Sequence, residues 1–237
     1  MRIISRLTQL MYALPVSLLE RCMKRCFLIL LLLSLCIPAI AQEIEPEKPE
    51  DAFAIWTDYV VRKDIGKWHV GGVLEYASID QGEGMKHNEL MLRPVVGYNP
   101  LPWLRMQMQV DFIYSFFSGW TFRYLPDVIF AWKASDDLKF AFRTRMNLSH
   151  RIATGKFSPA VRNRLKMDYS IPKTPVGLHI SAEPYWWDRF IKTRYIVGAD
   201  FKINKHLTLT ADFMRYQHYD INAAHQNVLY LTANIRL

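Results

Sequence analysis

From Leu138 to Ser149 the chain reads Leu-Lys-Phe-Ala-Phe-Arg-Thr-Arg-Met-Asn-Leu-Ser, and odd and even positions separate. Leu138, Phe140, Phe142, Met146 and Leu148 share one side; Lys139, Arg143, Arg145, Asn147 and Ser149 share the other. A period of two residues is a strand with one apolar and one polar face. A helical template fails, because the seventh residue after Leu138 is the charged Arg145. Strands in soluble sheets run about five or six residues, whereas a tilted membrane-crossing strand needs about 9–11.

The same alternation recurs in eleven segments: Phe53–Arg62, Lys67–Ala77, His87–Tyr98, Trp103–Tyr114, Thr121–Lys133, Leu138–His150, Ala160–Ile171, Val176–Trp186, Lys192–Ile203, Leu207–Gln217 and Asn227–Leu237. Gly, Pro, Asn and Asp at the joints are turn chemistry. Connections alternate between short turns, such as Asn99–Pro102, and longer stretches near 78–86, 115–120, 151–159, 187–191 and 218–226. Short turns on one side and long loops on the other are the pattern of outer-membrane barrels. In hydrocarbon only helices and closed barrels satisfy every backbone donor and acceptor. The expected fold is therefore all-β: a transmembrane antiparallel up-and-down β-barrel of about 10–12 strands over residues 52–237, with short periplasmic turns and longer outer loops. Eleven is awkward, because such barrels usually have even counts. Either a strand is missed or Phe53–Arg62 does not span. If it spans, it begins outside and residues 42–52 run up through the lumen.

Aromatic residues gather at both ends of the segments. Trp68, Tyr98, Trp103, Trp132 and Phe201 lie near the short turns; Tyr76, Tyr114, Phe116, Phe117, Trp120, Tyr185 and Trp186 lie near the long loops. Two such girdles mark two membrane interfaces. A large soluble β-sandwich is also aromatic-rich, but strands of thirteen residues are long for one.

The front of the chain reads as a targeting segment. Met23-Lys24-Arg25 is a basic start, Phe27 to Leu35 an apolar run, and Ala39-Ile40-Ala41 a small-residue cleavage site before Gln42. Residues 1–22 read as an upstream extension, with Met23 the true start. All three cysteines, Cys22, Cys26 and Cys36, fall in this removed part, so the mature chain has neither disulfide nor thiolate metal site. Leu35 is too bulky for the residue preceding a lipidated Cys36. Residues 42–51 are acidic and Pro-containing, a flexible solvated lead-in.

Charge changes the picture little. The net charge is +8, but residues 1–41 carry five Lys/Arg and one Glu, which leaves +4 on the mature chain. Export and the missing basic motif argue against nucleic acid. What matters is the inward face. The polar phase supplies Arg93, Arg105, Asp111, Arg123, Asp127, Arg143, Arg145, Arg162, Arg164, Lys166, Asp168 and Arg194 as candidate pore-lining residues, with Glu75, Glu89, His179, Glu183 and Asp212 on the same face. The densest block is Arg143, Arg145, Arg162, Arg164 and Lys166 on two consecutive strands. In a water-filled lumen it favours anions; in a narrow one it is ion-paired filler.

Catalytic candidates are weak. Ser149 and His150 are adjacent, so they point to opposite faces. His179 and Glu183 share a face but lie about 13 Å apart along a strand. Asp212 with His218 completes the set. No zinc spacing or phosphate loop occurs, so no catalytic residue, metal or cofactor is assigned.

In the last segment Leu229, Leu231, Ala233, Ile235 and Leu237 share one face. Outer-membrane barrels resemble this, their final strand being read by the barrel-assembly machinery, although Leu237 stands where an aromatic residue is common. The blocks Arg123-Tyr-Leu-Pro-Asp127, Arg162-Asn-Arg-Leu-Lys-Met-Asp-Tyr169 and Arg194 to His206, with Phe53-Ala-Ile-Trp56 at the front, resemble the bacterial outer-membrane β-barrel family catalogued as domain of unknown function 2490 (DUF2490). The resemblance covers nearly all of 52–237. It implies an outer-membrane barrel of unassigned role and carries over no catalytic residue.

The leading functional expectation is a small pore or transport-related channel leaning toward anionic solutes. Its expected surroundings are outer-membrane lipid and lipopolysaccharide, with the assembly machinery engaging Asn227–Leu237. The rival is a non-conducting barrel with a structural or loop-mediated binding role. An outer-membrane enzyme acting on lipid or peptide comes third.

Overall fold

The computed structural model describes residues 51–219 and 223–237. The expected signal segment and residues 42–50 of the lead-in lie outside the described residues.

All eleven segments are strands: β1 (Ala52–Ile65), β2 (Trp68–Asp80), β3 (Met85–Leu101), β4 (Leu104–Ser115), β5 (Gly119–Lys133), β6 (Leu138–Arg151), β7 (Lys156–Ser170), β8 (Val176–Trp186), β9 (Phe190–Lys202), β10 (Leu207–His218) and β11 (Gln226–Arg236). They close into one barrel in sequence order. One rim carries Ala52 and the start of β11; the other carries the β1–β2 turn and Leu237.

Alternation decides what faces out. On β8, Leu178 and Ile180 are about half exposed while His179 and Glu183 are buried. Tyr59, Leu74, Leu92, Met106, Val197 and Phe213 project outward in the same way from other strands. The exterior is thus apolar around the barrel, the reverse of a water-soluble sheet. Rings cluster toward both rims: Trp68 against Tyr98 and Trp103 stacked on Phe130 at the Leu237 rim, Tyr114 against Phe116 and Trp120 at the other. Tyr185 is not in this girdle. It shares the phase of His179 and Glu183 and is buried inside the barrel.

Two expectations need correction. The barrel is not wholly antiparallel. Ten neighbouring pairs are antiparallel, but β1 and β11 pair parallel, from Ala52↔Gln226 to Arg62↔Arg236. Eleven spanning strands require this, because first and last then run the same way. β1 pairs on both sides, so it is a full member of the wall. Parallel pairing is slightly weaker per residue, and three aspartates stitch this seam at three heights. Asp51 accepts from Arg215 and Asn227, Asp58 accepts from the Tyr230 hydroxyl, and Asp64 pairs with Arg236.

The second correction concerns the loops. Pairing extends into the stretches read as long loops, leaving connections of three to seven residues at the Ala52 rim (81–84, 116–118, 152–155, 187–189 and 219–225). At the Leu237 rim they are two to five (66–67, 102–103, 134–137, 171–175 and 203–206). The difference between the rims is small. One of the two two-residue turns, 66–67, places Gly66 at φ +61, a conformation that glycine adopts without cost.

Inside, polar residues do not fill the whole barrel. Ala54, Tyr185, Ile196, Met214, Tyr216 and Val228 form a buried apolar cluster on β1 and β8–β11, with Trp56 and Tyr230 packed on it. Met91, Ile113 and Leu125 are buried on β3–β5.

Candidate functional site: the charged lumen

The interior is organised around three carboxylates, each wholly or nearly wholly buried. Asp111 on β4 accepts from Arg93 Nε at 2.5 Å and Nη2 at 3.0 Å, with Arg123 Nε also 3.0 Å away. These guanidiniums come from β3 and β5, the strands on either side. Asp127 on β5 accepts from Arg145 of β6 through Nε at 2.9 Å and Nη2 at 2.5 Å. Gln107 and Gln109 of β4 donate to the same oxygen at 3.2 Å. Glu183 on β8 collects three arginines. Arg143 Nη2 donates to Oε1 at 2.6 Å, Arg162 donates to both oxygens at 3.2 and 3.1 Å, and Arg194 donates to Oε2.

Register explains the crowding. Arg143 stands directly opposite Arg164 across β6–β7, and Arg145 opposite Arg162. Like charges directly opposed destabilise a sheet, so each such pair needs acceptors from a third strand. Glu183 and Asp127 meet that need for Arg143, Arg145 and Arg162. Arg164 has no carboxylate within ion-pair distance among the described residues.

A cavity of about 1060 Å³ runs along the interior, from Asn99, Trp103 and Asn234 near the Leu237 rim to Asn88, Ser158 and Gln226 near the other. Nine of the twelve residues expected to line a pore border it: Arg93, Arg105, Arg123, Arg143, Arg145, Arg162, Arg164, Lys166 and Arg194. Asp111 and Asp127 face inward but do not border it, because the guanidiniums they bind lie over them. Asp168 also lies off the cavity, paired to Lys166 at 2.7 Å. Glu183 is covered in the same way as the other two hubs. The cavity wall therefore shows twelve Lys/Arg and five Asp/Glu. The five (Asp58, Glu75, Glu89, Asp200 and Asp212) lie on β1–β3 and β9–β10.

Two features were not singled out from the sequence. Lys192 borders the cavity and lies over the rings of Tyr185 and Tyr216, 5.0 and 4.7 Å from their centroids, while Arg162 covers Tyr185 at 4.6 Å. Its phase with Arg194 was the available signal. The other is the partnership of His179, a residue considered above with Glu183, which instead pairs with Asp212 and Asp200, at 2.9 and 3.3 Å. Asp168, His179 and Asp200 hold potential metal-ligand atoms within 4.8 Å of one another. Lys166 on Asp168 and the two carboxylates on His179 account for the cluster as ion pairing.

Fold and interior together define the class: a closed eleven-stranded β-barrel with an apolar exterior and a cation-faced lumen. The chain belongs to the family described as "Protein of unknown function (DUF2490)", which matches residues 53–227. No curated protein matches it. Among solved structures, one described as "NanC porin structure in rhombohedral crystal form" is similar at 13% identity and a TM-score of 0.47, over 78% of this chain and 99% of that one.

Proposed function

We propose that this protein is an outer-membrane channel for small solutes with a preference for anions. The observation that carries this is the cavity wall: twelve cations to five carboxylates, with three further carboxylates covered by the arginines they bind. A solute entering meets guanidinium edges rather than the ion pairs beneath them. In a low-dielectric enclosure such a wall concentrates anions. The exterior supports the membrane setting. Its apolar residues are exposed around the barrel, and a closed barrel is one of the two ways a chain crosses hydrocarbon. The surrounding lipid and lipopolysaccharide, and the assembly machinery on the final strand, are part of the same reading.

The loop-mediated rival loses ground, because no two consecutive strands among the described residues are separated by more than seven residues. A barrel closed by its own packing remains the second reading, and the apolar cluster around Met214 favours it. Catalysis is not assigned. Among the described residues no hydroxyl is hydrogen-bonded to His179, whose neighbours are carboxylates.

The test is single-channel recording of the purified protein in a planar bilayer under a salt gradient. Discrete openings with anion preference, reversed or abolished by Arg162→Glu with Arg164→Glu, are expected. Openings whose selectivity ignores that double change contradict the lining assignment. A folded but electrically silent barrel selects the closed reading.

A further inference from the structure

We infer that β6–β9 carry a discrete, saturable oxyanion-binding site centred on Arg143 and Arg164. Its part in solute traffic rests on the channel reading; the site itself rests on hydrogen-bond geometry.

Four arginines surround one carboxylate. Glu183 accepts four N–H groups from Arg143, Arg162 and Arg194, and a carboxylate has about four lone-pair positions. It has none left for Arg164, which its own register sets against Arg143. Arg143 is 6% exposed and its Nε has no acceptor; the Nε of Arg194 is also buried without one. Donors remain unmet on both sides of the hub, and the local charge is positive by three.

A buried donor without a partner is costly, and a buried unpaired charge more so. Water from the cavity supplies acceptors but no charge. An oxyanion supplies both, and its paired oxygens match the guanidinium fork, whereas chloride offers one undirected sphere. Approach is open from the lumen, since Arg143, Arg164, Arg162 and Arg194 border the cavity and Glu183 does not. Lys192 adds a further cation at the edge, held over Tyr185 and Tyr216. The geometry suits a soluble carboxylate, sulfate or phosphate group, because the site opens into the lumen and not onto the lipid-facing wall.

The probe is inorganic sulfate, titrated calorimetrically into the full chain in detergent at constant ionic strength, with chloride as the reference. Saturable sulfate binding is expected, weakened about tenfold or more in Arg164→Gln, the loss of one charge-assisted interaction. Arg164→Lys keeps the charge without the fork and should fall between. Arg164 pairs with no carboxylate, so these variants should fold, and the heat-dependent gel shift of a barrel checks it. Lys133→Gln, outside the cavity, should bind as the parent does. Binding that never saturates, or that Arg164→Gln leaves unchanged, overturns the site. A barrel that binds sulfate but conducts nothing overturns the channel and keeps the site; one that conducts without saturable binding does the reverse.

Discussion

His179 and Asp212 lie on strands that are not neighbours, yet the imidazole Nε2 is 2.9 Å from the carboxylate Oδ1. β9 runs between them, and its Gly198 is in register with both. A Cβ there would fall 1.8 Å from Asp212 Oδ1. The barrel repeats the arrangement on its other side. His69 of β2 reaches over Gly97 of β3 to Gln107 of β4, Nε2 to Oε1 at 3.2 Å, and a Cβ at 97 would fall 2.0 Å from the ring. In each case one missing side chain lets a buried histidine find a partner two strands away.

Gly198→Ala should therefore destabilise the barrel by about 1–3 kcal/mol, the usual cost of forcing atoms into a filled interior. Gly177→Ala is the comparison. Its nearest foreign atom would be 3.6 Å away, so its effect should stay within about 0.5 kcal/mol. Urea unfolding in detergent, followed by tryptophan fluorescence, separates the two. Equal losses would show that the space between His179 and Asp212 is not what Gly198 provides.

Glu183→Gln should be among the most damaging single changes in the lumen. It leaves Arg143, Arg162 and Arg194 around a neutral amide, and breaking a buried ion pair by removing one partner costs about 3–5 kcal/mol. Arg164→Gln removes a charge that has no carboxylate partner and relieves its opposition to Arg143, so it should cost less than about 1 kcal/mol. Unfolding midpoints of the two variants give the order, and the reverse order would remove Glu183 from its place as the hub.

Asp51 gives the parallel seam a pH dependence. Slight desolvation pushes its carboxyl up, but the hydrogen bond and charge of Arg215 outweigh this and hold it below its ordinary 3.8. A group depressed in the folded state contributes fully above its unfolded value and loses that contribution as pH falls through the folded one. The pair is more than one-third exposed on both sides, so the contribution at neutral pH should be under about 1 kcal/mol. Asp51→Asn should lower the melting temperature slightly at pH 7, and the difference should close as the pH drops below 3.8. A difference that persists in strong acid would mean that Asp51 acts through packing rather than charge.

The alternation of residues was enough to find every strand, because a barrel wall has a greasy and a wet side along its whole height. It failed at the rims, where the two sides stop differing. β7 starts at Lys156, not Ala160, since pairing with β6 continues through Phe157 and Ser158 after the pattern fades. The parallel closure was not read from the pattern because a period of two reports a face and not a neighbour's direction. An odd count with every strand spanning nevertheless demands it. The face of each lumenal residue is legible in the alternation, Lys192 and Tyr185 included, since they share the phase of Arg194 and Glu183. The hubs were not: Glu183 gathers Arg143 from two strands away, a pairing set by side-chain reach rather than spacing.

The apolar cluster sets how far the lumen can open. Met214 is fully buried, in register with Ile196 on one side and Val228 on the other. Ile196 and Tyr216 also border the cavity, so volume removed at 214 adjoins the space a solute would use. Met214→Ala should cost about 2–4 kcal/mol through lost contacts and the void left behind. If the cluster is the constriction of a conducting barrel, the same change should raise single-channel conductance without altering the sign of its selectivity, because no charge has moved. A less stable protein with unchanged conductance would place the narrowest point elsewhere, at the arginines of β6 and β7, and Arg164→Ala would then be the substitution that widens the path.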